Sequence, residues 1–266
     1  MKENVYSKVK VNLDEEFIIK VLDMQVQACA PKEIELLTNQ FNKHSPKKVI
    51  DVGCAHASFT NLMAEANPHI EFLGVDIDEK KLEHAKNSPH PNNVTFDLLD
   101  LTKDDFSIFQ DVDAIYGRYT FQHLDCESIS QKLFNAIKPG CTFYVIEAMV
   151  PFYNEWPHKT VFGEYWEKTE KMYDAFGSDK HLTFKLPHIL NKQGYKDVDC
   201  NLVFYSNQTV NKEIHTEMML EHNKIMHSID PVLADEEYVK RFEKDIINLP
   251  EDQMCTYVNA VIQGTK

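Results

Sequence analysis

The sequence predicts an α/β fold built around a mostly parallel β-sheet, and three observations support this. Seven segments are predicted to be strands, and the first apolar run, over 49–52, is too short for a helix, which is typical of a buried strand. Segments whose apolar residues recur every three or four positions alternate with most of these predicted strands, and such alternation produces parallel strands joined by right-handed crossovers. Of the 266 residues, 43% are hydrophobic and 26% are charged, as in ordinary globular domains.

The N-terminal region is predicted to be helical. Apolar residues recur at helical spacing over 17–22 and 34–37, and we expect Pro31 to divide two helices. Residues 1–46 are therefore assigned to an N-terminal helical cover, and residues 47–266 to the main domain. The first residues contain no apolar run of the length that a secretory signal needs, so we expect none.

Strands and helices then alternate as far as Glu147. The first strand, over 49–52, ends at Gly53 and is followed by a helix. After the second strand, over 70–76, Asp78 is expected to cap a helix that runs to about residue 87. Three further strands are predicted at 94–96, 112–116 and 141–146, with a helix before the last that is ended by Pro139-Gly140.

An aromatic-rich segment interrupts this alternation after Met149. Eleven aromatic residues fall between 143 and 184, including both tryptophans of the chain. We interpret 150–182 as a lid over an apolar substrate pocket; the alternative is the core of an accessory helical layer or a dimer contact. The candidate substrate-binding residues are Tyr153, Trp156, Tyr165 and Trp166.

The remaining sequence predicts a return to strands and helices. A helix over 186–192 and a strand over 195–205 precede a helical insertion at about 211–248, and a last strand covers 254–262. Several metal-ligand residue types occur on the first inserted helix: His215, Glu217, Glu221, His222 and His227. Since the last two are five residues apart and so not on one face, we interpret a solvated helix and predict no metal site.

The net charge and the cysteine content limit which binding partners and which cellular compartment we expect for the protein. The formal net charge is −14, and Arg118 and Arg241 are the two arginines. The basic stripe of a nucleic-acid-binding protein is therefore absent from the sequence, and an anionic membrane surface is disfavoured. No run of about 18 uncharged apolar residues predicts a membrane-spanning helix. Six cysteines without zinc-like spacing indicate a reduced cytoplasmic protein.

The turn after the first strand has the properties of a nucleoside-cofactor site. In an open parallel sheet, ligands bind at the carboxyl ends of the strands. Here Gly53, Ala55 and Ala57 carry side chains small enough for a ligand to approach the backbone, and Asp76 follows at the spacing of a ribose-binding acid. The alternative is a tight turn with a helix-capping aspartate. A nicotinamide dinucleotide is disfavoured, because G-x-G-x-x-G is poorly matched.

These motifs together resemble the class I S-adenosylmethionine-dependent methyltransferases, in particular the small-molecule branch. The resemblance is carried by VIDVGCAHASFTNLMAE, FLGVDIDEKKLEHAK, VTFDLLDL, DAIYGRYTFQHL and AIKPGCTFYVIE, within residues 47–147. It implies a doubly wound, Rossmann-like sheet of seven mostly parallel strands whose last strand is antiparallel. It also implies S-adenosyl-L-methionine as the cofactor and S-adenosyl-L-homocysteine as the product.

The resemblance assigns cofactor contacts residue by residue. The methionine moiety is assigned to the loop that contains Asp51, Gly53, Cys54 and Ala55, and its amino group to the loop at Arg118 and Tyr119. The ribose hydroxyls are assigned to Asp76, and the adenine ring to Ile77, Asp100 and Leu101. Ala55 and Ala57 depart from the pattern, because the family usually has glycine there.

The predicted reaction is in-line transfer of a methyl group to an oxygen or nitrogen atom of a small, partly apolar metabolite. His123 is the candidate general base, and Glu147 is a candidate for orienting the acceptor. The alternatives are a structural histidine beneath the loop and a solvated acid at the end of a strand. Two other functions stay open: a non-catalytic binding protein of the same fold and a nicotinamide-dependent oxidoreductase. A homodimer is neither predicted nor excluded.

Overall fold

The computed structural model describes residues 15–266 and shows one long N-terminal helix, α1 (Glu15–His44). Pro31 lies inside α1, so the expectation that it divides two helices was wrong. A proline inside a helix removes one backbone hydrogen bond and costs about 3 kcal/mol. Buried residues continue on both sides of it, from Ala30 to Glu33 and Leu37, and their packing outweighs that local cost. The part of the predicted cover before residue 15 lies outside the described residues.

Seven strands form a single sheet in the order β3-β2-β1-β4-β5-β7-β6. Their bounds are β1 Lys48–Val52, β2 Glu71–Asp76, β3 Val94–Leu98, β4 Ala114–Arg118, β5 Thr142–Trp156, β6 Lys196–Ser206 and β7 Met254–Thr265. The first five strands pair in parallel, with Asp51 beside Gly74 on one side and beside Tyr116 on the other. The predicted seven-stranded α/β sheet is confirmed.

The last strand is antiparallel to the rest, as the resemblance implies. The end of β7 lies beside the beginning of β5, where the Lys266 N–H donates to the Cys141 carbonyl at 3.0 Å and the Gly140 N–H donates to the Lys266 carbonyl at 2.8 Å. One residue further along β5, Thr142 Oγ1 lies 3.0 Å from Thr265 Oγ1 of β7. Neighbouring residues along the two strands are therefore met in opposite chain directions, as in antiparallel pairing.

Helices join the strands. They are α2 Ser58–Ala66, α3 Glu79–Asn87, α4 Cys126–Ala136, α5 Val161–Phe176, α6 Leu182–Gln193, α7 Lys212–Ile229 and α8 Glu236–Ile247, with short 3-10 turns at Ser107–Phe109 and Phe121–His123. Asp78 caps α3 as predicted, its side chain accepting hydrogen bonds from the backbone N–H groups of Lys80 and Lys81. No helix among residues 15–266 is long and apolar enough to cross a membrane.

Strand β5 is longer than predicted. It continues to Trp156, so the first residues of the predicted lid at 150–182 are strand rather than insertion. The reason is visible in its second half, where burial alternates: Phe152 and Trp156 are exposed, whereas Glu155 is buried. Alternation with a period of two is typical of a half-buried strand, and the density of aromatic residues obscures it in the sequence.

The chain forms two compact units, each assembled from separate stretches. The sheet unit comprises Pro31–Glu147, Leu182–Leu202 and Ala260–Lys266. The helical unit comprises Ala148–His181, Val203–Asn259 and the part of α1 up to Ala30. The sequence-based boundary at residue 46 stays a prediction.

Candidate functional site

The turn after β1 adopts a glycine-like backbone at three alternate positions. Gly53, Ala55 and Ala57 have φ angles of 75°, 50° and 70°, all in the left-handed region. The N–H groups of Gly53 and Cys54 both donate to the carbonyl of Val75, at 2.7 and 3.1 Å. Helix α2 begins directly afterwards and has no side-chain cap at Ala57. The first turn of α2 therefore offers backbone donors of the kind that bind a carboxylate or phosphate.

The two alanines at glycine positions leave the backbone path of the turn unchanged. A left-handed conformation costs a non-glycine residue about 1–2 kcal/mol, so the surrounding structure must impose it. Gly53 itself is required by space, because a Cβ there would lie 2.3 Å from Thr120 Oγ1. Ala55 and Ala57 therefore adopt the left-handed conformation that favours glycine.

Asp51 connects the end of β1 to α2. Its side chain is buried, and Thr60 Oγ1 donates to Asp51 Oδ2 at 2.6 Å. Burial raises the pKa of Asp51 to about 7, although the hydrogen bond from Thr60 lowers it. The structure therefore gives Asp51 a positioning role, holding the cofactor turn against the first turns of α2. Its predicted contact with the methionine moiety stays a prediction.

Asp76 is held rigidly at the end of β2. One carboxylate oxygen accepts the N–H of Ala55 at 2.9 Å, and the other accepts the N–H of Asp78 at 2.9 Å. Each carboxylate oxygen can accept a second hydrogen bond, so two acceptor positions stay available for a pair of neighbouring hydroxyls. Ile77 follows with 44% of its side chain exposed, which suits contact with a flat apolar ring.

Asp100 lies in the loop after β3, and its carboxylate bonds within that loop. Thr102 donates to Asp100 Oδ1 from both its N–H and its hydroxyl, and Lys103 Nζ lies 2.8 Å from Oδ2. Burial alone would raise the pKa of Asp100, but these partners outweigh it and the pKa falls below its usual value. Leu101 is buried beside it.

Arg118 is the last residue of β4 and Tyr119 follows it, and the arginine is paired with α1. Arg118 Nε donates to Glu33 Oε2 at 2.7 Å, and both side chains are buried. The guanidinium carbon also lies 4.3 Å from the centre of the Tyr119 ring and 5.1 Å from that of Phe59. Tyr119 has a φ of 55°, and its N–H donates to the carbonyl of Ile146.

Sequence reasoning missed Glu33. The sequence could have predicted that Glu33 is buried, because it lies between Ala30 and Leu37 on the apolar stripe of α1. A charged residue on such a stripe indicates a buried partner of opposite charge.

Glu147 is not a solvated acid, and that expectation was wrong. Glu147 lies inside the long strand β5, which has β4 on one side and β7 on the other, and the residue is 1% exposed. Glu147 Oε1 accepts the backbone N–H of Gln122 at 3.1 Å, whereas Oε2 is buried without a hydrogen-bond partner. Burial raises the pKa of Glu147 to about 8, despite the opposing effect of the N–H groups at 120–122. Glu147 is therefore mainly protonated at neutral pH.

His123 lies at the end of the 3-10 turn that Glu147 caps. Its Nε2 lies 3.3 Å from Gln122 Nε2, and burial lowers the pKa of the imidazole to about 4. The ring is consequently neutral at physiological pH, which is the state that a general base requires. Its predicted role in catalysis stays a prediction.

The four predicted substrate-binding residues all belong to the helical unit but differ in environment. Tyr153 and Trp166 stack, with ring centroids 6.1 Å apart and planes 13° apart. Tyr165 is buried, and its hydroxyl lies 3.4 Å from His222 Nδ1. Trp156 is 62% exposed on the outer face of β5. The structure thus brings Tyr153, Tyr165 and Trp166 together and gives no contact of Trp156 with them.

The expectation of a solvated helix at 211–228 was also wrong. His215 and Glu221 are buried on α7, and His222 Nε2 lies 2.6 Å from Gln25 Nε2. Three methionines on the same helix are also buried, so α7 packs one full face instead of lying on the surface. Within residues 15–266 no group of three or more histidines, cysteines or acids is placed to hold a metal ion.

Comparison with known proteins places this geometry in a family. Residues 43–194, more than half of the chain, match the family described as a methyltransferase domain. The chain belongs to this methyltransferase family. The predicted class I methyltransferase fold, the enzyme class and S-adenosylmethionine as the cofactor are confirmed. The family match favours methyl transfer over the nicotinamide-dependent alternative.

Individual relatives are distant. A carboxy-S-adenosyl-L-methionine synthase from Campylobacter lari is 24% identical over 163 residues, which cover 56% of this chain and 68% of the relative. One from Campylobacter concisus is 26% identical, over 51% of this chain and 61% of the relative. The match therefore spans about two thirds of these relatives' length.

Solved structures share the fold. Coclaurine N-methyltransferase, bound to N-methylheliamine and S-adenosylhomocysteine, has a TM-score of 0.52 at 12% identity, over 98% of this chain and 84% of that one. Phosphoethanolamine N-methyltransferase 2 from Haemonchus contortus has a TM-score of 0.50 at 14% identity, over 83% of this chain and 48% of that one. At these identities the similarity shows the architecture alone.

Proposed function

We propose that this methyltransferase moves a methyl group from S-adenosylmethionine to an oxygen or nitrogen atom of a small, partly apolar metabolite. The observation that carries the proposal is the left-handed turn at 53–57 joined to Asp76 through the Ala55 N–H. This turn positions backbone donors and a ribose-type carboxylate at the ends of adjacent strands. A small acceptor is also consistent with the methyltransferases of known structure whose bound substrates are small molecules.

The residues fit the cofactor by their chemistry. Asp76 has free acceptor positions for two ribose hydroxyls, Ile77 and Leu101 offer apolar contact to a purine, and the start of α2 offers donors to a carboxylate. Cys54 adds a small apolar side chain to the turn. When bound, S-adenosylmethionine supplies an activated methyl group on its sulfonium sulfur.

The protein's contribution to the reaction is alignment and proton transfer. A sulfonium methyl group is already activated, so the side chains mainly hold the acceptor in line and exclude water. We assign His123 as the group that takes a proton from the acceptor, since its imidazole is neutral and follows the cofactor loop directly. Glu147 acts through that loop: it binds the backbone at Gln122 and so fixes the position of His123.

Binding of S-adenosylhomocysteine tests the assignment directly. Calorimetry of the wild-type protein is expected to show saturable binding, and Asp76→Ala should weaken it by about tenfold or more, because two hydroxyl contacts are lost. Asp97→Ala, an exposed acid on the neighbouring strand β3, is the matched control and should bind as wild type does. Equal dissociation constants for Asp76→Ala and wild type would exclude the ribose assignment, and no binding by wild type would favour the non-catalytic alternative.

The acceptor side of the proposal rests on Tyr153, Tyr165 and Trp166 of the helical unit, in which both tyrosine rings contact the Trp166 ring. Trp156, exposed on β5, is retained as a candidate only for the rim of such a site. A cytoplasmic location stays a prediction from the six free cysteines.

A further inference from the structure

In the helical unit, one face of the sheet packs against α5 through aromatic rings. Tyr153 of β5 stacks on Trp166 of α5, with ring planes 13° apart, and Tyr257 of β7 contacts the same tryptophan at a centroid distance of 5.9 Å. Tyr205 of β6 stacks on Tyr257, with centroids 5.2 Å apart. The strands are adjacent in the order β5-β7-β6. The three tyrosines therefore lie on the same face of three neighbouring strands.

The opposite face of these strands carries large apolar side chains that are exposed. Successive residues of a strand point to opposite faces, so residues one or three positions from the three tyrosines lie on the side away from α5. Four of them are large and apolar, and between 41% and 62% of each is exposed: Phe152, Trp156, Phe204 and Met254. Asn154 and Thr256 lie beside them on the same side. We call these six residues the apolar face.

The apolar face is large enough to form the centre of an interface. Aromatic side chains have about 150–250 Å² of surface each, so its three aromatic residues together expose about 300 Å², and Met254 adds to this. The largest apolar patch on a typical monomer measures about 300–600 Å² and is often functional. A stable interface buries about 800 Å² on each partner, as an apolar centre with a polar rim. Two apolar faces together supply such a centre.

The charge of the chain favours a second copy as the occupant of this face. None of the six residues of the apolar face is charged, although 26% of the chain is charged and the net charge is −14. A cationic partner would be recognised by acidic side chains, which these six residues lack. Two copies repel one another through their net charge, and contact through an uncharged face keeps acids out of the interface. The remaining repulsion acts through solvent, where salt screens it.

We propose that the apolar face forms the contact of a homodimer, in which the same face of two copies packs together about a two-fold axis. Such an interface is self-complementary, because both sides have the same residues, and sheets that pack face to face interdigitate their side chains. The proposal goes beyond the proposed function and does not rest on it. It assigns Trp156 to the interface and so competes with the candidate place of this residue at the rim of the acceptor site.

Sedimentation velocity of the full chain tests the oligomeric state. Over about 1–100 μM, where interfaces of moderate affinity assemble, we expect the 30.9 kDa chain to be replaced by a species of two chains. Added sodium chloride should strengthen the dimer, because it screens the repulsion between two chains of charge −14. A chain that stays monomeric over this range would overturn the proposal. A dimer that dissociates in salt would also overturn it, because ion pairs would then hold the interface.

A charged substitution tests whether this face forms the dimer. Phe152→Glu should weaken dimerisation at least about tenfold, because an interface about a two-fold axis contains the substitution twice. Val232→Glu, at an exposed apolar residue of the helical unit outside the apolar face, is the matched control and should dimerise as wild type does. Circular dichroism establishes that both variants fold. A folded Phe152→Glu variant that dimerises as wild type does would show that another surface forms the contact.

Tryptophan fluorescence needs no change in the charge of the face and decides the question if Phe152→Glu does not fold. In a Trp166→Phe variant, Trp156 is the one remaining tryptophan. Quenching of its emission by acrylamide should decrease as the protein concentration rises and the dimer forms. A dimer with undiminished quenching would place the contact elsewhere. A monomer whose Trp156 is protected from acrylamide would show that the chain covers its own apolar face, and it would likewise contradict the homodimer.

Discussion

Arg118 Nε lies 2.7 Å from Glu33 Oε2, and this ion pair is buried, with the arginine side chain 8% exposed and the glutamate 0% exposed. Glu33 belongs to α1, whereas Arg118 ends β4 and begins the loop to Tyr119. The pair therefore ties the N-terminal helix to one of the two loops that the resemblance assigns to the methionine moiety.

Removal of Glu33 should destabilise the protein strongly. Glu33→Leu removes the carboxylate to which the buried Arg118 Nε donates, and breaking a buried ion pair costs about 3–5 kcal/mol. Adding Arg118→Met should recover most of this loss, because two apolar side chains replace the pair. Urea unfolding of both single variants and the double variant measures the coupling. Glu35→Leu, exposed on the same helix, should change stability by less than about 0.5 kcal/mol. Additive single-variant effects would show that the pair is not coupled.

The left-handed alanines predict a stabilising substitution. Ala55 adopts a φ of 50° and is not fully buried, so Ala55→Gly removes backbone strain of about 1–2 kcal/mol and costs roughly 0.5–1 kcal/mol in unfolded-state entropy. The net expectation is a gain of up to about 1 kcal/mol in the free energy of unfolding. Ala66→Gly, within helix α2, lacks that strain and should lose about that amount instead. Equal losses in the two variants would contradict a strained turn.

Glu147 should make the protein less stable as the pH rises. Its pKa is about 8 in the folded protein and about 4.3 in an unfolded chain, so between these values the folded state holds the extra proton. The free energy of unfolding then falls with increasing pH from about 4.5 to about 8, by a few kcal/mol in total. Glu147→Gln keeps an acceptor for the Gln122 N–H but cannot ionise, and it should flatten this decline.

Unfolding in urea at pH 6 and pH 8 tests that expectation. Asp51, whose pKa is also raised, contributes in the same direction to both proteins, so the difference between wild type and Glu147→Gln isolates Glu147. The exposed Glu83→Gln is the control and should keep the wild-type slope. An identical slope for wild type and Glu147→Gln would mean that Glu147 is ionised throughout.

His123 should act as a base over the whole neutral range. Because its pKa is depressed to about 4, the imidazole is neutral above about pH 5 and protonated below. Once an acceptor is identified, kcat/KM should fall as the pH drops below about 5, where the imidazole becomes protonated. His123→Gln should reduce kcat by about 10²-fold or more, the usual contribution of a general base, with little change in cofactor affinity. If kcat of His123→Gln equals that of wild type, His123 is not the general base and its role is structural.

The fold could be predicted because its signals are local. Gly53 after a short apolar run, Asp76 at the end of the next strand and Asp78 as a helix cap are read from neighbouring residues, and the structure confirms the strands and the cap. The cofactor turn is likewise continuous in the sequence. Pro31 is the exception among local signals, since burial on both sides of it keeps α1 intact.

The sequence by itself determined the α/β class and the approximate positions of the strands, because these depend on periodicity and on residue types that are close along the chain. The cofactor contacts assigned to the turn at 53–57 stay a prediction. Tertiary structure alone decided the Glu33 partner of Arg118, the burial that protonates Glu147, and the meeting of Trp166, His215 and Tyr257. The physical reason is that burial and pairing depend on contacts between residues tens of positions apart. Those contacts set the charge of each group and the partners available to it.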